Sequence, residues 1–322
     1  MVSVGYALSS EEHPASDLVR FAARAEQAGF EYAVISDHFH PWIDAQGQSP
    51  AVWPVLGGIA GATSTLRVGT GVTCPTIRYH PVIVAQQAAT VATMMPGRFM
   101  LGVGTGEALN EHVTGDRFPP YQDRAGMLRE AIEVIRALWS GRRVNHRGHH
   151  YTVDNARLYS VPDELPPIIV AAKGPKAAQL AGQLGDGLIN FVPDPKIVHR
   201  YESAAGMGKP KFVQYNVCWA ESEAEAKATA RRMIPTAGIE GEVTTLLPTP
   251  AHFEQLTADT TEEQVAKAIV CGPDPQRHLD GLQACAKAGF DHIHVNQVGL
   301  DQEGFFRFYE REVLPRWRAQ HD

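Results

Sequence analysis

The chain predicts an α/β fold, a (β/α)8 TIM barrel with insertions at the C-terminal rim of its strands. Three observations carry this. Strand-like runs alternate with helix-like runs over 322 residues, a length that suits one barrel with additions. The strands are Val- and Ile-rich with little alternation, as in Ile168-Ile169-Val170-Ala171-Ala172, which fits strands covered on both faces. Several strands run directly into glycines or into residues that do proton chemistry, the pattern of an enzyme built at one rim of a barrel. An open doubly wound sheet is the structural alternative, and the lack of a glycine-rich turn after the first strand counts against it.

Strands are predicted at 3–8, 32–37, 66–73, 99–105, 167–173, 187–192, 211–219 and 291–298. Helices are predicted at 16–29, 51–62, 81–95, 122–140, 175–184, 196–205, 221–234 and 275–288, with a last one at about 302–319. Ser16 can cap the first helix and Gly29 can end it. The phrase Ala28-Gly29-Phe30 returns as Ala288-Gly289-Phe290, both times at a helix-to-strand turn. Two segments depart from the repeat. Residues 141–166 read as an excursion containing a small hairpin, and 235–262 as a lid or loop with a short helix. Residues 1–322 form a single domain on this reading.

Composition narrows the class. With 44% hydrophobic and 20% charged residues the chain can bury a large core, and a net charge of −7 argues against a general nucleic-acid binder. Cys74, Cys218, Cys271 and Cys285 form no C-x-x-C pair and match no zinc spacing, which points to a reducing, cytoplasmic setting. No apolar run approaches the roughly 18 residues of a membrane span, and Val2–Leu8 reads as a strand, without the charged n-region and long apolar h-region expected of a signal peptide.

The chemistry concentrates in two motifs. Ser36-Asp37-His38-Phe39-His40-Pro41-Trp42 follows the second strand, and Gly102-Val103-Gly104-Thr105-Gly106-Glu107-Ala108-Leu109-Asn110-Glu111 closes the fourth. A histidine and a carboxylate on one rim allow one group to take a proton and the other to supply or steer one. Gly104-Thr105-Gly106 and Gly69-Thr70-Gly71-Val72 expose bare backbone that a flat ring can approach. Ala171-Ala172-Lys173-Gly174-Pro175-Lys176 runs from a strand into a helix, and a helix start flanked by lysines is a ready anion site. His146-Arg147-Gly148-His149-His150 invites a metal reading, but with no acidic partner nearby in the sequence it reads better as a polar hairpin; no metal site is predicted. Arg78-Tyr79-His80-Pro81 suits a ligand contact or a loop cap.

The two motifs together resemble those of the luciferase-like oxidoreductases that use coenzyme F420, a deazaflavin, and specifically their glucose-6-phosphate dehydrogenase branch. Thr76-x-Arg78-Tyr79, Leu138-Trp139-Ser140-Gly141, Ala171-Ala172-x-Gly174-Pro175 and Gly185-Asp186-Gly187 extend the resemblance over almost the whole chain. It implies an F420-dependent dehydrogenase, as a homodimer, moving hydride from a sugar hemiacetal or secondary alcohol to C5 of the deazaflavin. By position it makes His38 and Glu107 the acid–base pair and Trp42 the aromatic beside the reacting carbon. Asp37, Thr105, Gly106 and Asn110 become deazaflavin contacts, and Gly71-Val72 the bulge behind the ring. Lys173, Gly174, Lys176 and Ala177 fall where the family holds the phosphate-bearing tail.

Two departures follow from the same comparison. Cys74 stands where the sugar-phosphate enzymes have a threonine contact. Their three substrate-phosphate cations fall near Asp194 (with Lys196 two residues on), in the uncharged stretch Thr244–Leu247, and on Ala268. Loss of charge-assisted bonds to a dianion argues against glucose 6-phosphate and for an unphosphorylated alcohol or sugar. The alternatives are an F420-dependent sugar-phosphate dehydrogenase and an FMN-dependent luciferase-like monooxygenase. A metal-dependent barrel hydrolase is a further one, suggested by His38-x-His40 and Lys173, but its ligand set is incomplete because the sixth strand ends without a histidine.

Overall fold

The computed structural model describes residues 2–239 and 241–321. Eight parallel strands close on themselves: β1 (Ser3–Leu8), β2 (Tyr32–Ile35), β3 (Arg67–Thr70), β4 (Phe99–Val103), β5 (Ile168–Ala171), β6 (Gly187–Asn190), β7 (Lys211–Cys218) and β8 (His292–Gln297). Each pairs with the next, and β8 returns to β1 with Ser3 opposite His292. This is the (β/α)8 barrel that the alternating pattern predicts.

Outward side chains such as Val4, Tyr6, Val68, Leu101 and Val170 pack under the helices, while Tyr32, Val34, Met100, Ile169, Ile189 and Phe212 fill the barrel. Gly5 is bare because the Tyr32 ring lies against it; a Cβ there would stand 2.5 Å from the ring. Partly buried Val72 and Ala171 pack on this plug. The barrel is therefore a filled cylinder, and chemistry is confined to its mouth.

The predicted strands are right in place but too long at their C-terminal ends, by one to three residues in all but the first. Those extra residues leave the ladder to form the rim. After β3 the chain bulges through the cis Gly71–Val72 peptide and rejoins at a single bridge between Thr73 and Val103. Glycines let this bulge approach β4. A Cβ on Gly102 would meet the Thr70 carbonyl oxygen at 1.9 Å, and one on Gly104 would meet Val72 Cγ2 at 2.8 Å.

The first helix, Ala15–Ala28, has Pro14 rather than Ser16 at its N-cap position and no side-chain cap. Gly29 and Gly289 end their helices with φ of +91° and +100°, and in both repeats the next residue's N–H returns to a carbonyl five residues back. The echoed phrase is thus one left-handed turn used twice. The 141–166 excursion contains the predicted hairpin, Val144–Arg147 against Thr152–Ala156. The helix expected at 196–205 stops at Tyr201, and that at 302–319 splits into Gln302–Phe308 and Leu314–His321, each interrupted by a π-turn. Segment 235–262 holds more helix than expected: Val243–Leu246, Pro250–Leu256, and the start of Glu262–Ala268.

Two glycine substitutions test this packing. Gly102→Ala should lower the unfolding free energy by about 2 kcal/mol or more, because backbone has to move. Gly61→Ala, on an exposed helix position with nothing within 4 Å, should raise it by about 0.5–1 kcal/mol. Urea unfolding midpoints check both; equal effects would mean the β3–β4 approach is not tight.

Candidate functional site

Four strand ends bring four charged groups to the mouth. Glu11 follows β1, His38 follows β2, Glu107 follows β4 and Lys173 follows β5. His38 Nε2 lies 3.4 Å from Glu11 Oε1 and 3.9 Å from Glu107 Oε2, while Lys173 Nζ lies 2.6 Å from Glu107 Oε1. His38 Nδ1 is 3.2 Å from the His40 carbonyl. A carbonyl only accepts, so Nδ1 carries the hydrogen of that contact, and Nε2 is the nitrogen that faces both carboxylates.

Burial pushes the Glu107 carboxyl up, but Lys173 and then His38 outweigh it and hold the group below the ordinary glutamate range. Glu11 is buried, with its second oxygen taking the Ser36 hydroxyl at 2.6 Å. Trp42 packs beside His38, ring centroids 4.9 Å apart, and Phe253 meets Trp42 edge-on at 5.3 Å. Ile43, Leu109 and Leu247 complete this apolar wall, so the 235–262 insertion folds over the site.

Beneath the rim lies a supporting layer. Asp37 sits below the mouth rather than in it, its side chain without exposed surface. It accepts from Thr73 Oγ1 at 2.7 Å and from Arg78 at 3.0 Å. Asn110 Oδ1 accepts the Phe39 N–H at 2.9 Å and a longer one from His40, pinning the histidine loop. The Arg78 N–H donates to Glu111 Oε2 at 2.8 Å, and burial pushes the Glu111 carboxyl up to about 7. His80 accepts from the Val82 N–H at the start of the next helix, so Arg78-Tyr79-His80-Pro81 is a support and a cap.

Gly71 is bare because a Cβ would collide with Val34 inside the barrel, and Val72 caps the apolar plug. Cys74 is half-buried beside Gly104, and burial pushes its thiol well up. Arg124, buried under the Phe118 ring, donates to the carbonyls of Thr105 at 3.2 Å and Gly106 at 3.0 Å. Gly174 is the N-cap of the helix Pro175–Leu184, with Pro175 at its first position as expected. Lys176 and Ala177 lie in that first turn, whereas Lys173 is committed to Glu107.

Glu11 and Arg124 escaped the sequence reading. Glu11 was findable, since it follows a strand end just as His38 does. Arg124 lies on a helix with no local signal; its role comes from the turn it reaches. The histidine cluster does have an acidic partner, supplied by Glu130 from the helix Tyr121–Trp139. Glu130 pairs with His146 Nε2 at 2.9 Å and accepts the N–H groups of His149, His150 and Tyr151. It is a hairpin anchor; among the described residues no group of three or more His, Cys, Asp or Glu is placed to hold a metal ion.

Residues 2–292 match the family model described as luciferase-like monooxygenase, and the chain belongs to this luciferase-like family. It is 39% identical to the F420-dependent hydroxymycolic acid dehydrogenase of Mycobacterium tuberculosis, over 98% of this chain and 88% of that protein. It is 35% identical to the F420-dependent glucose-6-phosphate dehydrogenase of Beutenbergia cavernae, over 99% and 98%. An F420-dependent secondary alcohol dehydrogenase, solved with an F420–acetone adduct, superimposes with a TM-score of 0.92 at 27% identity, covering 98% of this chain and 99% of that one.

Under β1's end, Glu12 is fully buried, accepting from the Gly299 N–H at 2.8 Å, and burial pushes its carboxyl up to about 7. It takes up a proton on folding between about 4.5 and 7, so its contribution to stability falls as pH rises through that window and is level above it. Glu12→Gln should therefore gain on the wild type by about 3 kcal/mol between those limits. Chemical unfolding at stepped pH measures the difference; a pH-independent gap would mean that Glu12 ionises freely in the fold.

Proposed function

We propose that this protein is a coenzyme F420-dependent dehydrogenase that oxidises an unphosphorylated secondary alcohol. The carrying observation is the mouth itself, where His38 Nε2 faces two carboxylates beside an apolar wall of Trp42, Phe253 and Leu247. The residues fit the cofactor. Val72 and Ala171 give an apolar floor for a flat ring, and the Thr105–Gly106 turn is fixed from behind by Arg124. Gly174, Lys176 and Ala177 offer a helix start for an anionic tail. Relatives named as F420-dependent dehydrogenases of glucose 6-phosphate, hydroxymycolic acid and secondary alcohols support the cofactor and the reaction class.

When bound, the deazaflavin supplies the hydride acceptor. His38 Nε2 takes the hydroxyl proton, and the buried Glu11 beside it offsets the imidazolium charge. Glu107 stays ionised and orients the substrate hydroxyl or the ring edge. Trp42 and the insertion behind it exclude water. Asp37 and Asn110 act by holding the rim through Thr73, Arg78 and the Phe39–His40 backbone.

The substrate assignment rests on what stands in place of cations. Asp194 is spent capping the helix Pro195–Tyr201. The stretch Thr244–Leu247 supplies Leu247 to the wall over Trp42. Ala268 ends a helix whose Val265 joins a separate small apolar core. An apolar alcohol suits this lining better than a dianion. We further propose a homodimer, which the family resemblance implies, and a reducing, cytoplasmic setting in keeping with four free cysteines. Sedimentation velocity tests the dimer.

Loss of the deazaflavin absorbance band on mixing with F420 and a panel of alcohols tests the activity. Secondary alcohols with apolar chains should bleach it. Bleaching by glucose 6-phosphate alone would overturn the substrate assignment. His38→Ala should lose about a hundredfold or more in kcat while F420 affinity stays within about twofold; unchanged turnover would remove His38 from the mechanism.

A further inference from the structure

One cation at the mouth has no task in the proton chemistry above. Lys173 leaves β5 on the turn expected to hold an anionic tail, yet its Nζ lies 2.6 Å from Glu107 Oε1. Its side chain is 46% exposed and that of Glu107 only 19%, so the lysine reaches inward from the rim. The Phe191 ring lies 5.6 Å from Nζ and narrows its freedom.

The other titratable and charged groups facing Glu107 are His38 from β2's end, the Arg124 guanidinium behind the Gly106 carbonyl, and the Cys74 thiol. None of these is as close; His38 approaches the other oxygen, Oε2, at 3.9 Å. Glu107 is thus engaged at Oε1 before His38 can claim it. His38 in turn lies nearer Glu11 than Glu107. With the imidazole neutral, Lys173, Glu107, His38 and Glu11 carry one net negative charge. With the imidazolium they sum to zero.

We propose that Lys173 is a positioning residue for proton transfer: it keeps Glu107 a carboxylate, so that the substrate's proton settles on His38 against Glu11 and not on Glu107. This deepens the alcohol-oxidation reading of the site and rests on it. The step balances: the substrate carbon gives hydride to the deazaflavin, its hydroxyl gives the proton to His38 Nε2, and the C=O bond forms. It also leaves any anionic tail to Lys176 and the Pro175–Leu184 helix start, because the Lys173 ammonium is already committed.

The test compares wild type with Lys173→Met, which keeps the stem and deletes the charge, and Lys173→Arg, which restores it. Side-chain carboxyl NMR of the ligand-free protein, with Glu107→Gln to assign the resonance, gives the Glu107 titration midpoint. It should rise in the Met variant and return in the Arg variant. With F420 bound, the Met variant should lose about tenfold to a hundredfold in kcat, with F420 affinity within about twofold and the Arg variant recovering. An unmoved midpoint in all three proteins would overturn the proposal. So would a Met variant whose only defect is weak F420 binding, since that is the behaviour of a tail contact. The titration needs no cofactor, so a midpoint that moves in a protein that never binds F420 would sink the proposed function and leave the Lys173–Glu107 coupling standing.

Discussion

The mouth depends on the close approach of the bulge after β3 to β4. Gly102 and Gly104 permit it, and the Thr73–Val103 bridge closes it. The approach sets Val72 as floor, hands Thr73 to Asp37, and starts the Thr105–Gly106 turn that delivers Glu107. Bare backbone here is first a packing requirement between two strands. Val72 and Ala171 are left as the apolar top of the barrel plug. A parallel barrel sends every strand's C-terminal end to one rim, so the shift of a single strand would displace the carboxylate from the histidine.

Charge at this rim is graded by burial. Glu11 is buried, His38 and Glu107 are mostly buried, and Lys173 is half in solvent. A half-exposed ion pair adds little to stability. Its weight lies in protonation, because Glu107 without a cation would be pushed up by burial, as Glu111 and Glu12 are. Burial wins at Glu12 and at Glu111, where Arg78 only partly offsets it, whereas at Glu107 the direct Lys173 contact outweighs burial.

Much of this was legible in the sequence. The barrel followed from strand–helix alternation, and His38, Trp42 and Glu107 from their places after strand ends. Strand limits were not, because Gly71–Thr73, Gly104–Thr105 and Phe191–Val192 continue the apolar or glycine pattern after the ladder has ended. The family resemblance makes Asp37 a deazaflavin contact; its side-chain bonds to Thr73 and Arg78 come from across the fold and have no signal in the sequence around it. Lys173 reads as a tail ligand because it adjoins a helix start; only the closed barrel puts the ends of β4 and β5 side by side and makes it a partner of Glu107. Arg124 and Glu130 act across the fold from one long helix, and contacts of that range leave no local signature.

The most direct measurement is an equilibrium titration of the ligand-free protein with oxidised F420 and, separately, with FMN, followed by cofactor fluorescence. The account predicts saturable F420 binding at one site per chain in the micromolar range, about −8 kcal/mol, with FMN binding far weaker. Saturable FMN binding with no response to F420 would contradict it, and would make the His38–Glu107 mouth a flavin site.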